Sequence, residues 1–287
     1  TKPKTKRLIK TRERRKRRMS KVRVGKGIFA LPYAAICVIF VVFPLILLLI
    51  YAFRGDDGGF TFANFADVFT NPTNYMSLLK TLGTSLLATA LCLLIAYPLA
   101  YILASSPFNK YAILALLFVV PMWMNFMLRI FALQSLLGML GIEKGYGSAI
   151  IGLVYDFLPF MLLPIYTALV NLDHSYAEAA GDLGANGVKT FLKTTLPLSV
   201  PGIMSGVMMV FMPCFSAYAI TETMGDSNTS VIGGKIDMLI ASNQWGVGSA
   251  LAFVLLVLVI IVMVVGNIAA RSRSKTENSA LTRGGTL

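Results

Sequence analysis

Six apolar stretches divide this sequence, and each is long enough to cross a bilayer. A helix needs roughly 20 residues to span about 30 Å of hydrocarbon. The runs fall near residues 28–53, 77–104, 111–138, 148–171, 196–221 and 246–270. Of the 287 residues, 56% are hydrophobic and only 14% are charged. A soluble domain has no use for so much apolar surface, so lipid must be the main solvent. The runs are continuous rather than alternating, and hydrocarbon satisfies no open strand edge, so helices are expected and a barrel is not. The expected class is all-α: a polytopic membrane protein with six transmembrane helices. Pro44, Pro98, Pro121, Pro159, Pro164, Pro201 and Pro213 lie inside these runs and predict kinks. Neighbouring helices and local distortion make such kinks tolerable in a membrane bundle.

The net charge of +13 belongs to one end. Residues 1–26 hold fourteen Lys/Arg and a single acid, Glu13, and the remaining twelve bases and twelve acids cancel. The sequence therefore divides into a basic N-terminal tail (1–27), a membrane domain (28–270) and a C-terminal tail (271–287). The N-terminal tail has too few apolar residues for a packed core of its own. Beside a membrane span, its Lys/Arg cluster suits anionic lipid, each charge contributing about 1 kcal/mol near the surface; nucleic acid is not an expected partner. The first apolar run is too long for a signal-peptide core, and Phe53-Arg54-Gly55-Asp56-Asp57 offers no small-residue cleavage site, so an uncleaved first span is expected. One side of the membrane would carry twenty-one Lys/Arg and the other four, namely Arg54, Lys80, Lys144 and Lys235. That bias predicts both termini in the cytoplasm of a multi-pass protein of the plasma or inner membrane.

Cys37, Cys92 and Cys214 all lie in apolar runs and read as small hydrophobes. His174 is the one histidine, and no cluster has zinc-ligand spacing. No nucleophile and base suggest themselves, so the chain is not expected to be an enzyme.

The connection between spans four and five, residues 172–195, is longer than the two to eight residues that usually join packed helices. It falls on the expected cytoplasmic side. Ser175 with Glu178 three residues on has the pattern of a capping box. Ala179 and Ala180 favour helix with little bulk, Gly184 suits the left-handed residue that ends a helix, and Asn186 suits the cap of a second short helix. The expected shape is a compact helix-turn-helix knob fit for docking into another protein.

Glu178-Ala179-Ala180, Gly184 and Leu196-Pro197 stand at the spacing of the cytoplasmic motif of permease subunits in ATP-binding-cassette importers, and the chain resembles that family. It departs from the pattern at Thr194, where the family usually has Ile. The resemblance implies that the loop is a coupling helix seated in a cleft of an ATPase subunit, with Glu178, Ala179, Ala180, Asp182 and Gly184 at the contact. It also implies two ATPase copies, a second homologous permease subunit and an external solute-binding protein. ATP and Mg would sit on the partner, with no cofactor on this chain. Gly233-Gly234-Lys235 is followed by Ile236 and lacks the phosphate-loop spacing. Three further stretches resemble the spermidine/putrescine branch and its first permease subunit. They are Pro121-Met122-Trp123-Met124-Asn125 with Arg129-Ile130, Gly152-Leu153-Val154-Tyr155 with Leu158-Pro159-Phe160-Met161, and Asp182-Leu183-Gly184-Ala185 with Pro201-Gly202-Ile203.

A polyamine is a chain of ammonium groups, and it needs carboxylates and aromatic faces in place of water. Ionisable residues in spans mark functional candidates. The candidates for the substrate path are Asp156 beside Tyr155, Glu222 near Tyr218, and Trp123 with Asn125. Asp156 has a second reading, a structural ion pair with Arg129, and both stand. Two alternatives to a polyamine importer are a permease of the same class for an anion or osmolyte, and an ATP-independent secondary transporter. The inverted repeats typical of the latter are not evident in the sequence.

Overall fold

A computed structural model describes residues 32–55, 58–105, 120–173, 175–226, 229 and 231–284. The basic tail at 1–27, the start of the first span, residues 111–119 of the third, and His174 lie outside the described residues. The described residues form ten helices: α1 (Pro32–Ala52), α2 (Ala63–Thr70), α3 (Pro72–Ser105), α4 (Phe126–Met139), α5 (Tyr146–Val170), α6 (Ser175–Asp182), α7 (Gly187–Ser216), α8 (Tyr218–Met224), α9 (Ile232–Ala241) and α10 (Trp245–Gly284). Among the described residues the only bridge between extended segments joins Arg54 and Phe60. The chain is all-α, and α1, α3, α5, α7 and the Trp245–Gly266 part of α10 are long and apolar enough to cross a membrane.

Two expectations need correction. Among the described residues the third apolar segment is not one continuous helix: a tight turn at Val120–Trp123 gives way to α4 at Phe126. The fifth span begins at Gly187 rather than 196, and it breaks at Ala217 before α8. Within the expected C-terminal tail, residues 271–284 continue α10 as helix.

Two prolines explain local widening of the helices. Phe43 N–H donates to the Val38 carbonyl, and Leu196 N–H donates to the Phe191 carbonyl, both five residues back. In each case a proline (Pro44, Pro197) follows directly. Its ring crowds the carbonyl four residues back and supplies no donor, so the turn before it opens.

The centre of the bundle is α3, α5 and α7. On α3 a stripe of small residues, Ala88, Cys92, Ala96 and Ala100, is fully buried. Small side chains let membrane helices approach closely, because lipid offers no hydrophobic drive for association. The same holds where α7 crosses α5. A Cβ on Gly202 would stand 2.9 Å from the Pro164 carbonyl and nearer still to the Ala168 methyl. One on Gly206 would stand 2.8 Å from Met161 Sδ. This Gly-x-x-x-Gly pair was not singled out in the sequence. Across α3 and α7, the Tyr97 and Ser199 hydroxyls meet at 2.9 Å. Thr81 Oγ1 donates to the Ser77 carbonyl at 2.7 Å and accepts from Ile232 N–H at 2.7 Å, capping the start of α9 from a neighbouring helix.

A second cluster joins α1, α2, α9 and α10 through Ala52, Val68, Ile232, Leu239, Ala250 and Leu251. Helix α1 packs on α10 and leaves Tyr33, Ile39, Phe40 and Phe43 more than half exposed. A helix that is apolar all round is what hydrocarbon requires of a peripheral span.

Candidate functional site

The α6 knob is built by its caps. Asp173 Oδ1 accepts from Ser175 N–H at 2.9 Å. The helix opens at Ser175, which therefore lies within it where a capping box had been expected, and the Asp173 carboxylate takes its N–H. At the other end Gly184 has φ +78°, the left-handed conformation expected of it. Gly184 N–H donates to the Gly181 carbonyl at 2.8 Å and Ala185 N–H to the Ala180 carbonyl at 3.0 Å. These two bonds close the helix as a Schellman motif. Asn186 Oδ1 then accepts from Lys189 N–H at 2.9 Å, so the next helix is capped as its sequence predicts. That helix does not stop; it runs on into the membrane span as α7.

The knob keeps little apolar surface for itself. Glu178, Ala179, Asp182 and Gly184 are exposed and Ala180 is half-buried. Leu183 is 89% exposed, and Val188, Leu192 and Tyr176 are exposed beside it. Helix α6 packs back on the first turns of α7. A cleft of about 110 Å³, bounded by Tyr101, Leu169, Tyr176 and Leu198, lies between the knob and the bundle. Small residues among bare Leu and Val side chains make a surface suited to a partner's groove.

The path candidates gather around the break in the third span. Asn125 caps α4, its Oδ1 accepting from Met127 N–H at 3.0 Å and Leu128 N–H at 3.3 Å. Trp123, just before it, is 88% exposed. From the first turn of α4, Arg129 reaches Asp156 of α5 in a buried ion pair. Its Nη1 donates to the Pro121 carbonyl at 3.1 Å, and its guanidinium carbon lies 5.9 Å from the centre of the Tyr155 ring. Asp156 is thus paired, as one of its two readings held, while Tyr155 remains 41% exposed. The structure brings Asp156 and Tyr155 to Arg129, and Arg129 to the turn that carries Trp123.

Tyr218 and Glu222 stand apart from this cluster, on α8. They are four residues apart and share a face. The opposite face, Ile220, Thr221 and Met224, is buried where α8 packs on α4 and α5. Ser148 Oγ donates to the Met224 carbonyl at 2.6 Å and pins the end of α8 to the start of α5. Gly152 lies under Met224 and Ile220, where a Cβ would come within 2.9 Å of Ile220 Cγ2. The Gly152 close approach had no signal in a single sequence. The cap at Asn125 did have one, a proline followed by Asn ahead of an apolar run.

Residues 94–275 match the family described as "Binding-protein-dependent transport system inner membrane component", and the chain belongs to that family of inner-membrane permeases. Among its relatives, the spermidine/putrescine transport system permease protein PotB of Haemophilus influenzae is 34% identical over 253 residues, covering 79% of this chain and 88% of that protein. The Escherichia coli PotB is 30% identical over 266 residues, covering 83% of this chain and 95% of that protein. Among solved structures, a chain of a bacterial ABC transporter that imports the acidic polysaccharide alginate aligns with TM-score 0.66 at 16% identity, over 89% of this chain and 99% of its own. A chain of the inward-facing MetNI methionine ABC transporter aligns with TM-score 0.56 at 17% identity, over 71% and 99%. These two likenesses establish a shared fold.

Proposed function

We propose that the chain is a permease subunit of an ATP-driven importer of polyamines such as spermidine and putrescine. It does no chemistry itself. Two copies of a partner ATPase bind ATP and Mg and hydrolyse the nucleotide, and a second homologous permease completes the membrane unit. An extracytoplasmic binding protein delivers cargo to the outer loops. The knob at Glu178, Ala179, Ala180, Asp182 and Gly184 docks in the ATPase, with the loop at 172–195 and both termini in the cytoplasm. The path passes Trp123, Asn125 and Tyr155 at the break in the third span, and Tyr218 and Glu222 on α8. Asp156 lies in its wall, neutralised by Arg129. The residues at 1–27 lie against anionic lipid headgroups.

The observation that carries this reading is the knob's geometry. An exposed helix, capped at both ends and followed by a bare leucine, packs on the first turns of α7, and α7 continues without interruption into the membrane bundle. A push on the knob therefore moves a span, which is what alternating access requires of its drive. The relatives' polyamine cargo supports the choice of substrate.

The test is uptake of radiolabelled spermidine into proteoliposomes that contain the full complex with its ATPase and binding protein. ATP-dependent uptake that unlabelled putrescine competes away is the expected result. Uptake that resists every polyamine competitor would remove the substrate assignment. A chain that purifies with no ATPase and still transports would remove the mechanism.

A further inference from the structure

Irregular backbone at membrane depth survives only where it is buried in protein or lines a cavity. The break at residues 120–125 therefore needs something to hold it. Met124 N–H bonds back to the Pro121 carbonyl at 3.2 Å, and Asn125 leaves helical geometry at ψ 128° to cap α4. Neither contact reaches another span. Arg129 does. Helical side chains lean toward the N-terminus of their own helix, so from the first turn of α4 its guanidinium lies beside the turn. One nitrogen takes the Pro121 carbonyl eight residues back, and another takes the Asp156 carboxylate on α5.

The placement is otherwise costly. A cation in the first turn of a helix opposes the positive end of the helix dipole, and a buried charge in a membrane needs a partner. Packing alone does not account for an arginine here, since apolar residues of similar volume often hold helices together at least as well as a buried pair. A planar guanidinium, with donors spread across a fork, is what can bind two acceptors at once.

We infer that Arg129 is a positioning residue, which brackets the Pro121 turn to Asp156 and so fixes the break in the third span against the fourth. This inference rests on the transport path proposed above. With the bracket in place, Trp123 and Asn125 on one side and Tyr155 on the other keep a fixed separation. The pair is thus part of the path's frame, and Asp156 is not offered to the cargo.

The test uses the reconstituted full complex and three variants, with uptake normalised to the complex that co-purifies with the ATPase. Arg129→Lys keeps the charge but supplies a single point contact. It is expected to lower maximal spermidine uptake about tenfold, as a misplaced frame would. The apparent KM should stay within about twofold, because no cargo contact is lost. The paired change Arg129→Met with Asp156→Met leaves no buried charge unpaired, should assemble, and should transport no better than Arg129→Lys. Wild-type uptake per complex in that double variant would overturn the inference, since the pair would then be packing alone. A KM that falls severalfold in Arg129→Met alone would overturn it too, because Asp156 would then be a cargo acceptor that Arg129 occupies. If the wild-type complex takes up no spermidine, the substrate assignment fails by itself. Stimulation of ATP hydrolysis by the binding protein, compared between wild type and Arg129→Lys, still reads the bracket: a tenfold difference supports it and equality refutes it.

Discussion

The seam between α5 and α7 and the knob at α6 both depend on glycine, for opposite reasons. At the seam, Gly202 and Gly206 are there because nothing larger fits: Pro164, Ala168 and Met161 already occupy the space. At the knob, Gly184 has open space where a side chain would go, with nothing within 4 Å, and is needed for its φ of +78°. The first pair serves close approach and the second serves backbone direction. Damage at the seam should show as loss of fold, and damage at the knob as loss of coupling in a fold that stays intact.

The largest expected effect follows from filling the seam. Gly202→Leu drives a side chain into the α5 backbone. Overpacking of that kind costs about 1–3 kcal/mol or more, and here it should cut the yield of monodisperse protein in detergent and lower its Tm. A variant with wild-type yield and Tm would break the comparison, because the glycine would then be dispensable. Next comes Gly184→Val. A β-branched residue at positive φ costs on the order of 1–3 kcal/mol locally. That should open the end of α6 and abolish transport-coupled ATP hydrolysis, while the Tm of the membrane bundle stays near wild type. A fall in Tm matching that of Gly202→Leu would erase the distinction between the two regions.

Leu183→Asp sharpens the contrast further. The side chain is 89% exposed, so it contributes little to this chain's own stability. Losing it from a partner's groove should weaken ATPase co-purification by about tenfold, in the range of a single binding hot spot. The smallest effect is Gly184→Asn. Asparagine tolerates the left-handed conformation, so coupling should fall less than about threefold, the equivalent of some tenths of a kcal/mol.

How much the sequence revealed divides along the same line. The knob was legible because its determinants are local: a left-handed glycine, an Asn cap and small helix formers are each read from a few adjacent letters. Even there Ser175 lies inside the helix rather than at its cap, with its N–H on the Asp173 carboxylate. The long spans were legible from length and apolarity. The seam glycines were not, because their meaning lies in the Met161, Pro164 and Ala168 atoms they face on another helix. For Asp156 the sequence offered two partners and no way to choose, and the choice was made by how α4 lies on α5. At Asn125 an apolar run continues across the break, so hydropathy joins two pieces that the Asn125 cap divides.

One consequence follows from α7 being unbroken from Gly187 to Ser216. Its 30 residues make a rod about 45 Å long, at 1.5 Å per residue. Gly202 falls near its midpoint and presses it against α5, as a fulcrum presses on a lever. The widened turn at Phe191–Thr195 lies on the knob's side of that contact and the Ala217 elbow on the other, so a displacement at the knob reaches the elbow only through the α5 seam.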